Sequence, residues 1–168
     1  MTDPPTVPAY LQQVARAYRF LDRFKNAMTF NFPADPNGIN ELEDNLWAFF
    51  QNCWPVKDWL RHDPNISKGV KDEIWNQVKA NPYLPIVADL ANGSKHFATD
   101  PNLEWVGAAE APTQVTKNAD GTWTFTHVVD LPDGSRLTAL ELAERAMAEW
   151  QKILKEHDLS WYMDSGAA

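Results

Sequence analysis

The sequence predicts a mainly α fold: an antiparallel four- or five-helix bundle with a small antiparallel β-hairpin inserted before the last helix. Three observations carry this. Apolar residues recur at helical spacing over most of the first hundred positions and again near the end. Pro, Asn and Gly clusters cut that pattern into segments with short connections. One stretch late in the chain switches to β-branched alternation around an Asn118-Ala119-Asp120-Gly121 turn.

The first helix is expected from Pro8 to Met28, with Leu11, Val14, Tyr18, Leu21 and Phe24 or Phe20 along one side. Phe30 to Gly38 reads as a loop, because two prolines and Asn37-Gly38 break any period. A second helix is expected from Asn40 to His62. Leu42, Leu46, Phe49, Cys53, Val56 and Leu60 form a heptad-like seam, and Trp47, Phe50, Trp54 and Asp58 form a stripe beside it. A helix apolar over so much of its circumference belongs near the centre. Pro55 should kink it near Gln51, since proline removes one backbone donor.

Asp63-Pro64-Asn65 stops that helix. Ile66, Val70, Ile74 and Val78 mark a third, shorter one, and Asn81-Pro82-Tyr83 ends it. Pro85 suits the first turn of a fourth helix reaching about Phe97. Thr113–Lys117 and Thr122–Val129 are the hairpin strands, and Asp133-Gly134 allows a short third strand from Ser135 to Leu137. The last helix starts near Thr138, where Thr138 and Glu141 have capping-box spacing. The whole chain, 1–168, is expected to be a single domain: bundle at 8–99 and 138–158, hairpin at 113–131.

Composition narrows the function classes. At 168 residues the chain can bury a core without staples. Its formal charge of -8 lacks the uniformly basic footprint of a nucleic-acid binder. A single cysteine, Cys53, excludes an internal disulfide framework and a Cys-rich zinc site; within an apolar stripe it reads as a buried, inert thiol. No stretch approaches the roughly 20 apolar residues of a membrane span, and the first residues lack a signal-peptide pattern, so no membrane partner and a cytoplasmic location are expected. Gly-x-Gly-x-x-Gly, Walker, Gly-x-Ser-x-Gly and Cys-x-x-Cys motifs are absent.

Two polar clusters interrupt apolar helical sequence: Cys53–Leu60, containing Asp58, and Ala88–His96. On a continuous fourth helix Asp89, Asn92 and His96 share one stripe, with Lys95 beside it. If the second and fourth helices are neighbours, Asp58 faces this row. A carboxylate near an imidazole supports acid–base chemistry. The candidate site is therefore His96, Lys95, Asn92, Asp58 and Asp89, with Trp47, Trp54 and Trp59 as candidate ligand-lining rings. Each has a plain structural role open to it as well. Asp58 could cap a turn or accept from an indole, Asn92-Gly93 could end a helix, and Trp stripes at helical spacing pack cores. No metal site is expected, since no His-x3-His or His-Glu-x2-His spacing occurs, and no cofactor is implied.

Trp54–Leu60 and Ala88–His96 resemble segments of small bacterial and phage-related helical proteins of unknown function. The Asn92-Gly93-Ser94-Lys95-His96 run also looks like the polar run in the later helices of HEPN-like bundles. Active HEPN ribonucleases carry an Arg followed a few residues later by a His and cleave RNA without metal. None of the arginines here, from Arg16 to Arg145, has a His at that spacing, and Asn92-x3-His96 with Lys95 is the nearest equivalent. Besides a metal-dependent hydrolase using Asp58, Asp89 and His96, which lacks a ligand-spacing motif, two function classes follow. One is a binding or assembly module that takes a partner protein or a second copy of itself. The other, implied by the resemblance, is a metal-independent ribonuclease or toxin acting on RNA, with His96 as the acid–base group.

Overall fold

The first helix, α1, spans Ala9–Ala27. It starts after Pro8, whose carbonyl accepts from the N–H of Leu11 and Gln12 at 3.1 and 3.3 Å. The fold is that of a computed structural model, which describes residues 7–30, 37–93, 109–131 and 133–159. Leu11, Val14, Leu21 and Phe24 are buried as the spacing requires, Tyr10 and Ala17 join them, and Tyr18 is half-buried.

α1 packs along α2, Gly38–Cys53, through Leu42, Leu46, Phe49, Phe50 and Cys53. The helix expected over 40–62 is two helices, α2 and α3, Val56–His62. Pro55 is the cause. Trp54 and Pro55 keep helical dihedrals, but proline has no N–H to continue the ladder. The Pro55 carbonyl instead accepts from Asp58 N–H at 2.8 Å and Trp59 N–H at 3.2 Å, which starts α3. The apolar seam survives the break, with Val56 and Leu60 buried.

α4 spans Lys68–Ala80, with Ser67 Oγ accepting from Val70 N–H at 3.4 Å as its N-cap. Ile74 and Val78 are its buried residues. α5, Leu84–Gly93, is the innermost helix: every residue from Leu84 to Ala91 is buried, and it touches α2, α4 and the last helix. A helix apolar all round can be covered on all sides only at the centre of a domain.

Four strands form one antiparallel sheet: β1 (Thr29–Phe30), β2 (Ala109–Lys117), β3 (Trp123–Asp130) and β4 (Arg136–Thr138). The expected hairpin is β2–β3. β3 is the hub, with β2 along one edge. On its other edge Thr29 and Phe30 pair with Thr124 and Trp123, and β4 pairs with Val128 to Asp130. β1 comes from the segment just after α1, and a two-residue strand has no period by which sequence could reveal it. Phe125 N–H also donates to the Met28 carbonyl at 3.3 Å, which fixes the end of α1 to the sheet.

The last helix, α6, runs Ala139–Glu156 behind the expected capping box: Thr138 Oγ1 accepts from Glu141 N–H at 3.1 Å and Glu141 Oε2 accepts from Thr138 N–H at 3.4 Å. Of the apolar face expected from Leu140, Ala143, Met147, Trp150 and Leu154, all but the half-buried Leu140 are buried, and Leu142, Ala146 and Ile153 add to them. Trp150 is the largest fully buried side chain among the described residues. No helix among the described residues is long and apolar enough to cross a membrane.

Candidate functional site

The predicted site residues occupy different surroundings. Asp89 is buried in the middle of α5, 2% exposed, and is engaged by a neighbouring group. A carboxylate so deep needs such compensation. Asn92 is half-buried one turn further on. Lys95 and His96 lie outside the described residues. Asp58 is in the first turn of α3 with its side chain 48% exposed. α3 packs on α1 and α4, whereas the helix carrying Asp89 packs on α2, α4 and α6. Of the expected constellation, the described residues place Asp89 and Asn92 on one helix and Asp58 on a separate, half-open surface.

Asp58 has defined partners there. Its Oδ1 accepts from Lys57 Nζ at 2.5 Å, and its backbone carbonyl is 2.7 Å from His62 Nδ1. His62, in the last turn of α3, thus meets a backbone carbonyl one turn earlier. Lys57 is only 17% exposed in its side chain, and its ammonium lies 4.7 Å from the Trp54 ring centroid, a cation–π contact.

The three candidate rings divide. Trp54 is 7% exposed and belongs to the core edge. Trp47 is half-buried and packs on Phe50, with ring centroids 6.1 Å apart. Trp59 is 38% exposed. Large apolar side chains this open are rare among the described residues, Val115 on β2 being another.

Two hollows flank α3, and Asp58 lines both. One is a cleft of about 100 Å³ between α3 and α4. Its apolar floor is Leu60, Ile74, Trp75 and Val78, and its rim carries Lys57, Arg61 and Lys71 against Asp58 and Asp72. The other is shallower, about 380 Å³, beside Trp59, His62 and Pro64. The turn joining α3 to α4 holds this arrangement. Asp63 Oδ1 accepts from Asn65 N–H at 2.8 Å, Asp63 itself is 8% exposed, and Ile66 is buried beneath it. That buried carboxylate, after desolvation, also raises the Tyr10 hydroxyl above its ordinary value.

The rim charges are unevenly paired. Asp58 is held by Lys57, and Asp72 by Lys68 at 2.7 Å. Arg61 and Lys71 make no ion pair with a described residue. Arg61 and Lys71 come to line one cleft only where α3 and α4 meet, so no short window of sequence contains them both. The Asp63-Pro64-Asn65 stop was the signal available for the turn that joins them.

Cys53 is buried against Met147, Sγ to Sδ 3.9 Å, and burial pushes its thiol up to about 12. The Trp150 indole N–H opposes that shift without cancelling it. Such a thiol is inert at neutral pH, as expected. His127 lies in β3, where a histidine opposite the apolar alternation or on an open face is the sequence expectation. It is 3% exposed and shares the side of β3 that buries Phe125 and Val129. Among the described residues no group of three or more His, Cys, Asp or Glu is placed to hold a metal ion. No protein-family model, curated protein or solved structure matches the chain.

Proposed function

We propose that this protein is a binding module that engages a partner protein through α3 and its two flanking hollows. The observation that carries the reading is the cleft between α3 and α4: an apolar floor, a charged rim and an exposed tryptophan on the adjoining face. Its size favours protein recognition over small-molecule chemistry. Ligand pockets run to about 300–1,000 Å³, whereas about 100 Å³ admits the end of a single side chain. Aromatic and Arg anchors at the centre of a patch, with polar groups around them, are the features that dominate protein interfaces.

Site-specific photo-crosslinking tests this. A benzophenone side chain replaces Trp59 in one variant and Lys152, on α6, in another, and adducts formed in cells are resolved by mass. The expected result is a discrete protein adduct at position 59 that is absent at 152 and lost when Trp75→Ala is added with helicity unchanged. Adducts no stronger at 59 than at 152 overturn the reading. Growth arrest on expression, relieved by His96→Ala with the fold intact, replaces it with RNA cleavage.

A further inference from the structure

The α3–α4 cleft carries a charge bias opposite to that of the chain. The protein as a whole has a formal charge of -8. The rim of the cleft holds three cations, Lys57, Arg61 and Lys71, and two carboxylates, Asp58 and Asp72. Both carboxylates are already engaged, by Lys57 and by Lys68. What remains is Arg61, exposed at the end of α3, and Lys71, half-buried on α4, neither paired with a described carboxylate. The apolar lining of the same cleft is Leu60, Ile74, Trp75 and Val78.

We infer that the cleft binds an acidic peptide segment of a partner protein, in which one apolar side chain enters the space over Ile74 and Trp75 and flanking Asp or Glu side chains meet Arg61 and Lys71. The inference rests on the binding-module reading above and adds the chemistry of the partner. The arginine fork accepts a carboxylate through two parallel N–H···O bonds, and the lysine supplies a second, adjustable charge. The pocket volume limits the anchor to one side chain, so recognition depends on the charges around it. The net charge of -8 disfavours non-specific association with acidic peptides, so binding depends on the local cations of the cleft.

Panning of phage-displayed random peptides on the full chain tests the inference, with the Arg61→Glu/Lys71→Glu double variant and the Trp75→Ala variant in parallel. Circular dichroism confirms that each variant is folded. The expected result is enrichment on the wild type of peptides with acidic residues flanking one apolar residue. Their affinity should fall on the order of tenfold or more in the charge-reversed variant, and should weaken as salt is raised. Enriched peptides that are neutral or basic, yet lose binding in Trp75→Ala, overturn the acidic-peptide inference and leave the cleft as a binding site. Self-association in sedimentation that the double variant abolishes also overturns it, and makes the occupant a second copy. No enrichment, or enriched peptides insensitive to all these substitutions, overturns both the inference and the reading beneath it.

Discussion

Gln13 on α1 donates from Nε2 to the backbone carbonyl of Asn52 at 2.7 Å, just before the Pro55 break. Gln13 is 2% exposed, and its Oε1 accepts from Arg16 Nη1 at 3.0 Å. Pro55 has no N–H for the Gln51 carbonyl four residues back, so the α2 ladder ends here and its last carbonyls need other donors. The side chain of Gln13 supplies one from the neighbouring helix. Gln13→Leu keeps the volume and removes the donor. It should lower the unfolding free energy by about 1–2 kcal/mol, read as a shift in denaturant midpoint at constant slope. Asn52→Ala leaves the backbone acceptor in place and should cost clearly less than Gln13→Leu. Equal losses would show that the α1–α2 bond is not what matters.

Asn81 joins three helices. It ends α4, its Oδ1 accepts from the N–H of Tyr83 and Leu84 at 2.9 and 3.1 Å at the start of α5, and its Nδ2 donates to Glu149 Oε2 on α6 at 2.8 Å. Asn81→Ala removes all of these and should destabilise by about 2 kcal/mol, combining a lost cap with a charge-assisted bond. Asn81→Asp keeps the acceptor for α5 but sets a carboxylate against Glu149. Its loss should therefore shrink as pH falls through the carboxylate range, and more steeply than that of Asn81→Ala, which loses only the charge-assisted part of its bond to Glu149. Thermal unfolding at neutral and acidic pH separates the two.

Cys53 sets a pH dependence at the alkaline end. Burial raises its folded-state value from 9.0 to about 12. Above the unfolded value the unfolded chain loses this proton while the folded chain keeps it. Stability is therefore fully present below about pH 9 and declines as pH rises toward 12, by up to about 1.4 kcal/mol per pH unit from this group. Tyr18, also pushed up to about 12, adds to the same trend. Cys53→Ala should flatten the decline between pH 9 and 10 relative to wild type, and the native thiol should resist alkylation until the protein unfolds. An unchanged slope in Cys53→Ala would mean that the thiol is already ionised or exposed in the folded state.

Much of the fold was readable because its signals are local. The periodicity of α1 and α6, the turn at Asn118 to Gly121 and the β-branched run of β3 each lie within one short window. β1 was not readable, since Thr29 and Phe30 are defined by pairing with residues far along the chain. The candidate site suffered from a different cause. The seam through Val56 and Leu60 stays in phase across Pro55, but the stripe beside it, through Trp47, Trp54 and Asp58, leaves the core at its end, where α3 meets α1 and α4. Asp58 consequently stands at a half-open surface between two hollows, and Trp59, not Trp54, is the exposed ring. The Arg61 and Lys71 pair depends on how α3 meets α4, which no single window contains.

The capping box at the start of α6 joins sheet to helix at one residue. Thr138 ends β4, where it pairs with Val128, and also caps α6 through Oγ1 to Glu141 N–H at 3.1 Å. Glu141 Oε2 returns to the Thr138 N–H at 3.4 Å, and its Oε1 lies 3.4 Å from Arg145 Nη2. The reciprocal bonds are coupled, because each holds the geometry the other needs. Thr138→Ala should cost about 1 kcal/mol. Glu141→Ala should cost less, since its bonds are long and exposed. In the double variant the losses should be less than additive, because removing either residue already frees the other. A double-mutant cycle by chemical denaturation reads this coupling. Strict additivity would show that the two bonds act independently and that the turn from β4 into α6 is held by the packing of Ala139 and Leu142 instead.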